Sequence, residues 1–596
     1  MQRTRNFTYL FVFIAFTVFL FGSLTKLNLP LAEWDYFSLT AAENWSKKVN
    51  TPWIFNHPPL YPIFLTLVFK LAQPAVVTAR LANISCVILT SLLLFHIASL
   101  IFNNDAAFWA VIFYLLSPVS IQGTNLMDVA DTSLLPLTFL LIVHSIIKST
   151  SNPGLKNTLR LAFVVTLCFW AKVTSTLALI IAILAAYTYE HLVHRKNNQR
   201  ATIFLNLTAL GLGLILFCVT WTLISNLYWG TEAYLSVLVS PWTAFHSRVA
   251  NQSLYSKLFS TGYHSLRTLV WFSPFLILMW LSISWSILRK NSSSFVTNEH
   301  LTILFIWISV VYFVGNLLIG GTNWGYPRYH VAILPILSIF AGSLAANSIN
   351  KIDGKLLLGM IVIIILNVTI FIYFSGDPLF LLNITFKEFL LSGYPIKNIL
   401  IKASFMFTIL YCLPIMSSVL LFFCFRVRPK NNLFTICLIV GVLTTLLSLD
   451  IKQISASYRT SNQYGAQGKK EVLQKARSHI KDGDYVLATS EFIYDLNDKK
   501  LPFIGWKVWE SKKNFCQFIN SKKPNAIIAG LTVNTYSQLQ WILSVETQSF
   551  LSKHYQSIRV GTYYLWLRTS EVKTPISEGE RVMYEQSSDT TVGENG

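Results

Sequence analysis

Charge is scarce in this chain. Only 12% of its 596 residues are Asp, Glu, Lys or Arg, roughly half the share found in soluble domains. With 53% hydrophobic residues and a mean hydropathy of +0.51, a soluble enzyme is excluded. Cysteine is sparse too, at seven residues. Cys86, Cys168, Cys218, Cys412, Cys424 and Cys437 fall in apolar runs, where thiols act as small hydrophobes. Cys516 stands alone in the polar C-terminal part. No CxxC pair, zinc spacing or disulfide framework is present, which excludes a zinc module and a secreted disulfide scaffold. P-loop, GxGxxG and HExxH signatures are missing, so neither a nucleotide cradle nor a metallopeptidase is indicated. No cofactor is expected. Without an internal repeat or heptad seam there is no solenoid or coiled coil, and a transporter built from paired halves is disfavoured.

What is present is a series of apolar runs near 7–28, 76–102, 106–122, 133–148, 158–171, 174–189, 202–228, 266–289, 300–319, 328–348, 355–374, 400–426 and 432–450. Most match the length needed to cross a bilayer as a helix. MQRTR followed by the first run reads as an uncleaved signal anchor. Residues 57–73, opening with His57-Pro58-Pro59, are short and proline-rich, and read as an interfacial or re-entrant helix. With the N-terminus cytoplasmic, the inner loops contain Lys148, Lys156 and Arg160; HLVHRKNNQR; Arg289 and Lys290; SINKIDGK; and RVRPKNN. All are short and basic, as the positive-inside rule demands. The net charge of +20 is thereby accounted for without a nucleic-acid partner. Glu33, Asp35, His57, Asp128, Asp131, Lys172, Arg248 and Arg328 then share the opposite face. Ionisable groups at membrane depth usually mark a site or a watery cavity.

The composition changes after residue 451. KKEVLQKARSHIK reads as a helix, DYVLATS and NAIIAG as strands, TYSQLQWILSVETQSFLS as a helix and GTYYLWLR as a strand. This alternation predicts a small α/β domain over 452–570. Residues 571–596 are polar, acidic and without a core-forming pattern, and are expected to be a disordered tail. Residues 1–451 form the membrane domain.

Several outer-face residues suit chemistry, and each has a plainer alternative. In AEWDYFSLTAAENW, Glu33 and Asp35 open an amphipathic interfacial stretch. One of them is a general base at the membrane surface, or both are solvated acids. Asp128 and Asp131 sit three apart in TNLMDVADTS, where Asp131 also suits an N-cap of the next helix. Lys172 interrupts LCFWAKVTSTLAL, as a snorkelling lysine or a site cation. Arg80 opens a span in VTARLAN. Arg328, beside Tyr329 in GYPRYH, suits a bidentate phosphate contact. Carboxylates and scattered cations at one rim suit attack by an acceptor hydroxyl on a sugar that leaves a lipid-linked phosphate. A carboxylate takes the proton and cations stabilise the departing phosphate.

Read in order, the acidic stretch after the first span, HPPLYPIFLTLVFKLA, ARLANISCVILTSLLLFHIASLIF, LSPVSIQGTNLMDVADTSLLPLTFLLIV, WAKVTST and GYPRYHVAILPILSIFAGSLA resemble the GT-C membrane glycosyltransferases. Within these the chain is similar to the protein-mannosyltransferase, aminoarabinose-transferase and Rgt-like branch, over roughly residues 5–350. The resemblance implies a polytopic α-helical fold of about 13 transmembrane helices with an appended extracytoplasmic α/β domain. It implies inverting transfer from a polyprenyl-phosphate sugar, of undecaprenyl or dolichyl type, to a hydroxyl on a lipid, glycan or protein acceptor, with no metal. Asp35 takes the position of the base and Glu33 the competing register, since the chain shows E-W-D-Y where the family has an adjacent acidic pair or D-x-x-x-Y. Asp128 takes the second acidic position. His57, with Pro58 and Pro59, forms a stiff floor beside the lipid phosphate, and Arg80, Lys172 and Arg328 are phosphate or cavity ligands. The expected location is a bacterial inner or plasma membrane. A polysaccharide polymerase or ligase using similar donors and a lipid or solute transporter are the alternatives.

Overall fold

The computed structural model describes residues 2–29, 31, 35–53, 57–125, 133–194, 200–239, 262, 265, 268–288, 299–318, 328–374, 408–424, 433–464, 466–481, 483–496, 508–509, 511–530, 540–561 and 563–569. The chain falls into two compact units. One comprises Met1–Leu27 and Ala41–Ser457, the other Asn28–Thr40 and Tyr458–Gly596.

The described elements run in order α1 (Gln2–Leu24), α2 (Asp35–Ser46), α3 (Leu60–Leu71), α4 (Val76–Ile101), α5 (Asn104–Leu115), α6 (Pro118–Asn125), α7 (Leu134–Ser151), α8 (Leu155–Ala171) and α9 (Val173–His194). They continue with α10 (Arg200–Tyr228), α11 (Thr231–Leu238), α12 (Pro274–Leu288), α13 (Glu299–Leu318), a 3-10 turn (Arg328–Ile333), α14 (Leu334–Ile349), α15 (Gly354–Phe374), α16 (Leu413–Cys424, preceded by a π turn at Thr408–Cys412) and α17 (Leu433–Tyr464).

The helices have two apolar sides. In α1, Phe7, Phe11, Ala15 and Phe19 recur every four residues and are buried, while Tyr9, Phe13 and Phe21 on other faces are exposed. A period near 3.6 puts the buried set on one stripe. Exposed aromatic residues opposite such a stripe belong in a lipid solvent, where an apolar outer face costs nothing. Among the described residues, seven helices are long and apolar enough to cross a membrane, or eight if the bent pair α5–α6 is one span. This is a polytopic α-helical membrane protein. The runs expected near 174–189, 266–289, 300–319 and 400–426 are apolar helices too, but shorter in their described parts, at Val173–Tyr189, Pro274–Leu288, Leu301–Gly315 and Thr408–Leu421. Helix α3, with 12 residues, rises about 18 Å, well short of a bilayer core.

Instead of one span over 106–122, the structure has two helices bent by 55° at a break. Pro118 opens α6 and explains the break. It lacks an amide hydrogen, and its ring crowds the carbonyl of Tyr114 four residues earlier. Ser120 Oγ donates to that carbonyl at 2.6 Å, so the freed acceptor is satisfied inside the protein.

Close approach of helices relies on small residues. Helix α14 brings Gly342 so near α5 that a Cβ there would lie 2.5 Å from Ala106 O and 2.5 Å from Ala110 N. Both contacts are backbone and have no room to yield. Gly342→Val is therefore expected to cost at least 1–3 kcal/mol through overpacking and to abolish the monodisperse peak in size-exclusion chromatography of detergent-solubilised protein. An unchanged peak and thermal midpoint would refute this packing.

In the second unit, strands β1 (Val486–Ala488), β2 (Ala526–Gly530), β3 (Tyr555–Val560) and β4 (Tyr563–Arg568) form a sheet of order β1-β2-β4-β3. Strands β1 and β2 are parallel and the other pairs antiparallel. Alternating side chains fill two cores. Val486, Ala488, Ile528 and Leu565 meet Val472 and Ala476 of α18 (Ala466–His479) on one face. Leu487, Ile527 and Trp566 meet Phe515 and Ile519 of α20 (Lys512–Lys522) and Leu551 of α21 (Val545–Ser552) on the other. A four-residue helix, α19 (Ser490–Ile493), follows β1. The helix expected over 535–552 is split at Ser544 between a 3-10 turn (Gln540–Leu543) and α21, because Ser544 Oγ caps the new helix by accepting from Thr547 N. The tail expected over 571–596 lies outside the described residues.

Candidate active site

Chain connectivity already places several expected site residues at one end of the first unit. The segment after α1, the start of α3, the first turns of α4, the end of α6 and the start of α7 all belong there, and their side chains interlock. Arg80 Nη1 donates to the carbonyls of Lys26 at 2.9 Å and Leu27 at 2.8 Å. Both carbonyls belong to the turn that follows α1, where a guanidinium complements the nearby negative end of that helix. Lys26 Nζ reaches Gln122 Oε1 at 3.1 Å, and Gln453 Nε2 of α17 donates to the same oxygen at 2.9 Å. Tyr61 of α3 donates to Asn83 Oδ1 at 2.9 Å, and Asn83 Nδ2 to Thr124 O at 3.3 Å. These polar contacts thus join the turn after α1 to α3, α4, α6 and α17 beside the end of α6.

The charges within this layer are buried. Lys26 is 3% exposed, Arg80 1% and Asp450 0%. Burial and the neighbouring Arg80 push the Lys26 ammonium down to about 7, and the charge of Asp450 opposes them. Asp450 accepts no hydrogen bond from either oxygen among the described residues.

His57 follows a braced corner. Trp53 Nε1 donates to His57 O at 2.6 Å, Trp45 Nε1 to Thr51 O at 3.0 Å, and Trp45 stacks on Trp229 at 5.6 Å. Pro58 and Pro59 are buried and α3 starts directly after them. His57 itself is half-buried. Lys172 sits in an extended break between α8 and α9 and is 1% exposed. Its carbonyl accepts from Thr176 Oγ1 at 2.7 Å. Thr138, one turn into α7, points to Cys168 Sγ at 3.6 Å near the end of α8, so Lys172 lies at the same end as the start of α7. The turn bearing Arg328 and Tyr329 packs on α7 as well. Arg80 and Lys172 are thus brought to one end of the first unit. Asp35 is the first residue of α2. The side chains of Asp35, Arg328 and Tyr329, and the residues Glu33, Asp128 and Asp131, lie outside the described set. Among the described residues no cluster of His, Cys, Asp or Glu suits a metal ion.

Sequence reading missed Lys26, Asn83, Gln122, Asp450 and Gln453. A signal existed for two of them. Lys26 ends the first apolar run and Asp450 ends the last, and an ionisable residue at the edge of a span is itself a reason to ask for a partner.

The layer predicts a graded cost. Tyr61→Phe removes one buried hydroxyl and should cost about 1 kcal/mol, whereas Asn83→Leu strands both the Tyr61 hydroxyl and the Thr124 carbonyl and should cost roughly 2–4 kcal/mol. Thermal unfolding of the purified chain checks the order. Equal midpoints for both variants would show that the layer carries little of the stability.

Comparison with known proteins adds the following. Residues 56–222 match the sequence profile of the dolichyl-phosphate-mannose-protein mannosyltransferase family. No curated protein sequence matches the chain. ArnT from Cupriavidus metallidurans in the apo state is similar in structure, with a TM-score of 0.57 and 14% identity over 96% of this chain and 99% of that one. The same enzyme bound to undecaprenyl phosphate gives a TM-score of 0.55 and 14% identity over 95% and 99%. The Archaeoglobus fulgidus oligosaccharyltransferase in its apo form aligns at a TM-score of 0.47 and 10% identity, over 94% of this chain and 75% of that one.

Proposed function

We propose that this chain, whose fold is that of the GT-C membrane glycosyltransferases, is an inverting glycosyltransferase that moves a sugar from a polyprenyl-phosphate donor to a hydroxyl acceptor outside the cytoplasm. The observation that carries this reading is the collection of buried cations at one end of the bundle, the end from which the segments bearing Asp35 and Asp128 depart. Support for the carrier comes from ArnT, which shares the fold and has been seen bound to undecaprenyl phosphate.

In the proposed reaction the acceptor oxygen attacks the anomeric carbon from the face opposite the phosphate. The new C–O bond forms as the bond to the phosphate oxygen breaks, and the configuration inverts. A carboxylate of the segment after α1, Asp35 or its alternative Glu33, takes the hydroxyl proton. The phosphate leaves as an anion and needs positive charge rather than a proton. Lys172 and Arg328 supply that charge in this reading, Arg80 adds to the field from beneath, and Tyr329 lies beside the phosphate. His57 on its Pro58-Pro59 step flanks the headgroup. Asp128 orients the acceptor, with Asp131 holding the start of α7. The acceptor is a lipid, glycan or protein, and the membrane is a bacterial inner or plasma membrane with the N-terminus cytoplasmic and an extracytoplasmic C-terminal domain over 452–570.

Transfer is measured with radiolabelled undecaprenyl-phosphate mannose, glucose, galactose and aminoarabinose against envelope lipid, glycan and protein fractions. Asp35→Asn should lower it by roughly 10²–10⁴-fold, and Glu33→Gln only a few-fold. A severe loss in Glu33→Gln alone moves the base to Glu33, and no loss in either removes this segment from the mechanism. Arg328→Ala is expected to raise KM for the donor by about tenfold, the scale of one charge-assisted contact to phosphate. An unaltered donor dependence would discard that role.

A further inference from the structure

At the end of the first unit opposite the candidate active site, basic side chains from three helices gather. Helix α4 bears Arg80 in its first turn and His96 about 24 Å farther along its axis. There the His96 ring packs against that of His144 on α7, with centroids 5.2 Å apart. His144 and Lys148 share one face of α7 and continue a stripe begun by Leu137 and Leu141. Leu137 and Leu141 are half-buried and Lys148 is exposed while most of α7 is buried, so this stripe is the side of α7 that looks out of the bundle. Helix α8 returns antiparallel, in a register set by Thr138 Oγ1 at 3.6 Å from Cys168 Sγ. From the level of that contact His144 lies about 9 Å, Arg160 about 12 Å and Lys148 about 15 Å along the helix axes toward this end. The charged groups that act on His144 are accordingly Arg160, His96 and Lys148, all basic.

His96, Lys148 and Arg160 are exposed, whereas His144 is only 7% exposed and its Nδ1 has no hydrogen-bond partner. The ion pairs among the described residues, Lys47–Glu43, Lys469–Asp495 and Lys512–Glu546, all involve other cations. Asp105, in the first turn of α5 just beyond the end of α4, accepts from Asn350 Nδ2 at 3.0 Å. The faces that lead to the cluster are apolar. Leu89 and Leu92 lie below His96 on one face of α4, and Phe163 lies below Arg160 on one face of α8. All three are exposed, and both helices pack on α7. His96 and Lys148 sit about 8 Å and 5 Å inside the ends of their helices, the depth of a headgroup layer of roughly 5–8 Å.

We propose that this is a binding site for one anionic phospholipid of the adjoining leaflet, with its phosphodiester held by His96, Lys148 and Arg160 over His144 and its acyl chains laid along Leu89, Leu92 and Phe163. In the expected topology that leaflet is the cytoplasmic one. The inference does not depend on the transfer reading. A plain basic flank accounts for lysine and arginine at this end. It does not account for two histidines in ring contact, one of them buried with a partnerless nitrogen. A phosphate oxygen is an acceptor for an imidazole N–H, and an unpaired buried polar atom is what such a bond relieves. Free phosphate would meet the same cations but has no use for the apolar faces, whereas a phospholipid fits both.

The experiment titrates the whole chain in detergent with palmitoyl-oleoyl phosphatidylglycerol or phosphatidylcholine and counts bound lipid by native mass spectrometry. The parent chain should hold one phosphatidylglycerol about tenfold or more tighter than phosphatidylcholine. Lys148→Gln/Arg160→Gln, at two exposed positions, should weaken phosphatidylglycerol by roughly 25-fold, about fivefold per cation, and leave phosphatidylcholine unchanged. Lys156→Gln/Lys355→Gln removes two exposed charges elsewhere at the same end and should shift the affinity by less than about twofold. His144→Phe should cost about fivefold; where that variant fails to fold, His96→Gln at its exposed position reads the same pair. Phosphatidylglycerol should also raise the thermal midpoint of the parent chain more than that of Lys148→Gln/Arg160→Gln. Equal binding of the two lipids by the parent chain would overturn the site, and equal losses in the two double variants would reduce it to general surface charge. Displacement of the lipid by inorganic phosphate or by glycerophosphoglycerol at equal concentration would overturn the role of the acyl chains. Unchanged affinity in the histidine variant would overturn the part given to the histidine pair.

Discussion

A lysine buried just after the first helix ties three elements of the first unit together. Lys26 Nζ and Gln453 Nε2 share one acceptor, Gln122 Oε1, so the first helix, the broken helix α5–α6 and the last long helix are joined through a single side chain. Arg80 binds the same helix end from the other side through the carbonyls of Lys26 and Leu27. Hydrogen bonds to charged donors are the stronger kind, and in a low-dielectric interior the alternative to making them is a stranded charge. The layer therefore ties the turn after α1, α6 and α17 together beside the end of α6.

The same constraint explains irregularities elsewhere. In a bilayer each freed backbone group must find a partner inside the protein, so a break in a helix needs a local substitute. Ser120 provides one for the Tyr114 carbonyl at the 55° bend, whereas at the α8–α9 break the Lys172 carbonyl keeps its backbone partner, Thr176 N at 3.2 Å, and the Thr176 hydroxyl is a second donor. Both breaks fall at the end that holds the polar layer. A straight helix would have carried its side chains past that level, whereas a broken one turns its polar end inward. Elsewhere the packing rests on absent side chains, as at Gly342 against α5, which leaves no polar atom to satisfy.

Much of this was legible in the sequence. The apolar runs identified the helices, the two prolines after His57 identified the start of α3, and VLA, AIIAG and YYLWLR stood out as strands because apolar residues dominate them. Strand β3 did not, because Tyr555–Val560 is an edge strand with polar Gln556, Ser557 and Arg559 facing outward among its apolar residues. The bend at Pro118 was hidden inside a run of adequate length, since hydropathy counts residues and is blind to a missing amide. At the site, Arg80 and Lys172 were found as isolated charges in apolar surroundings. Their backbone engagements were not, because which carbonyls a guanidinium reaches depends on how α1 and α4 cross. Lys26 and Asp450 look like the polar borders of spans. Only three-dimensional packing makes them interior residues.

A phosphate-releasing site in a membrane faces two opposing demands. Positive charge must be concentrated to stabilise the departing anion, yet cations buried near one another repel and give up protons. Lys26 shows the conflict, with burial and Arg80 acting together to discharge it. Arginine escapes it because its guanidinium stays protonated under any such pressure, and Arg80 is the more deeply buried of the two. Lysine does not escape, and needs help. Gln122 Oε1 supplies part of that help by accepting from Lys26 Nζ at 3.1 Å, since a hydrogen bond is stronger when its donor carries charge.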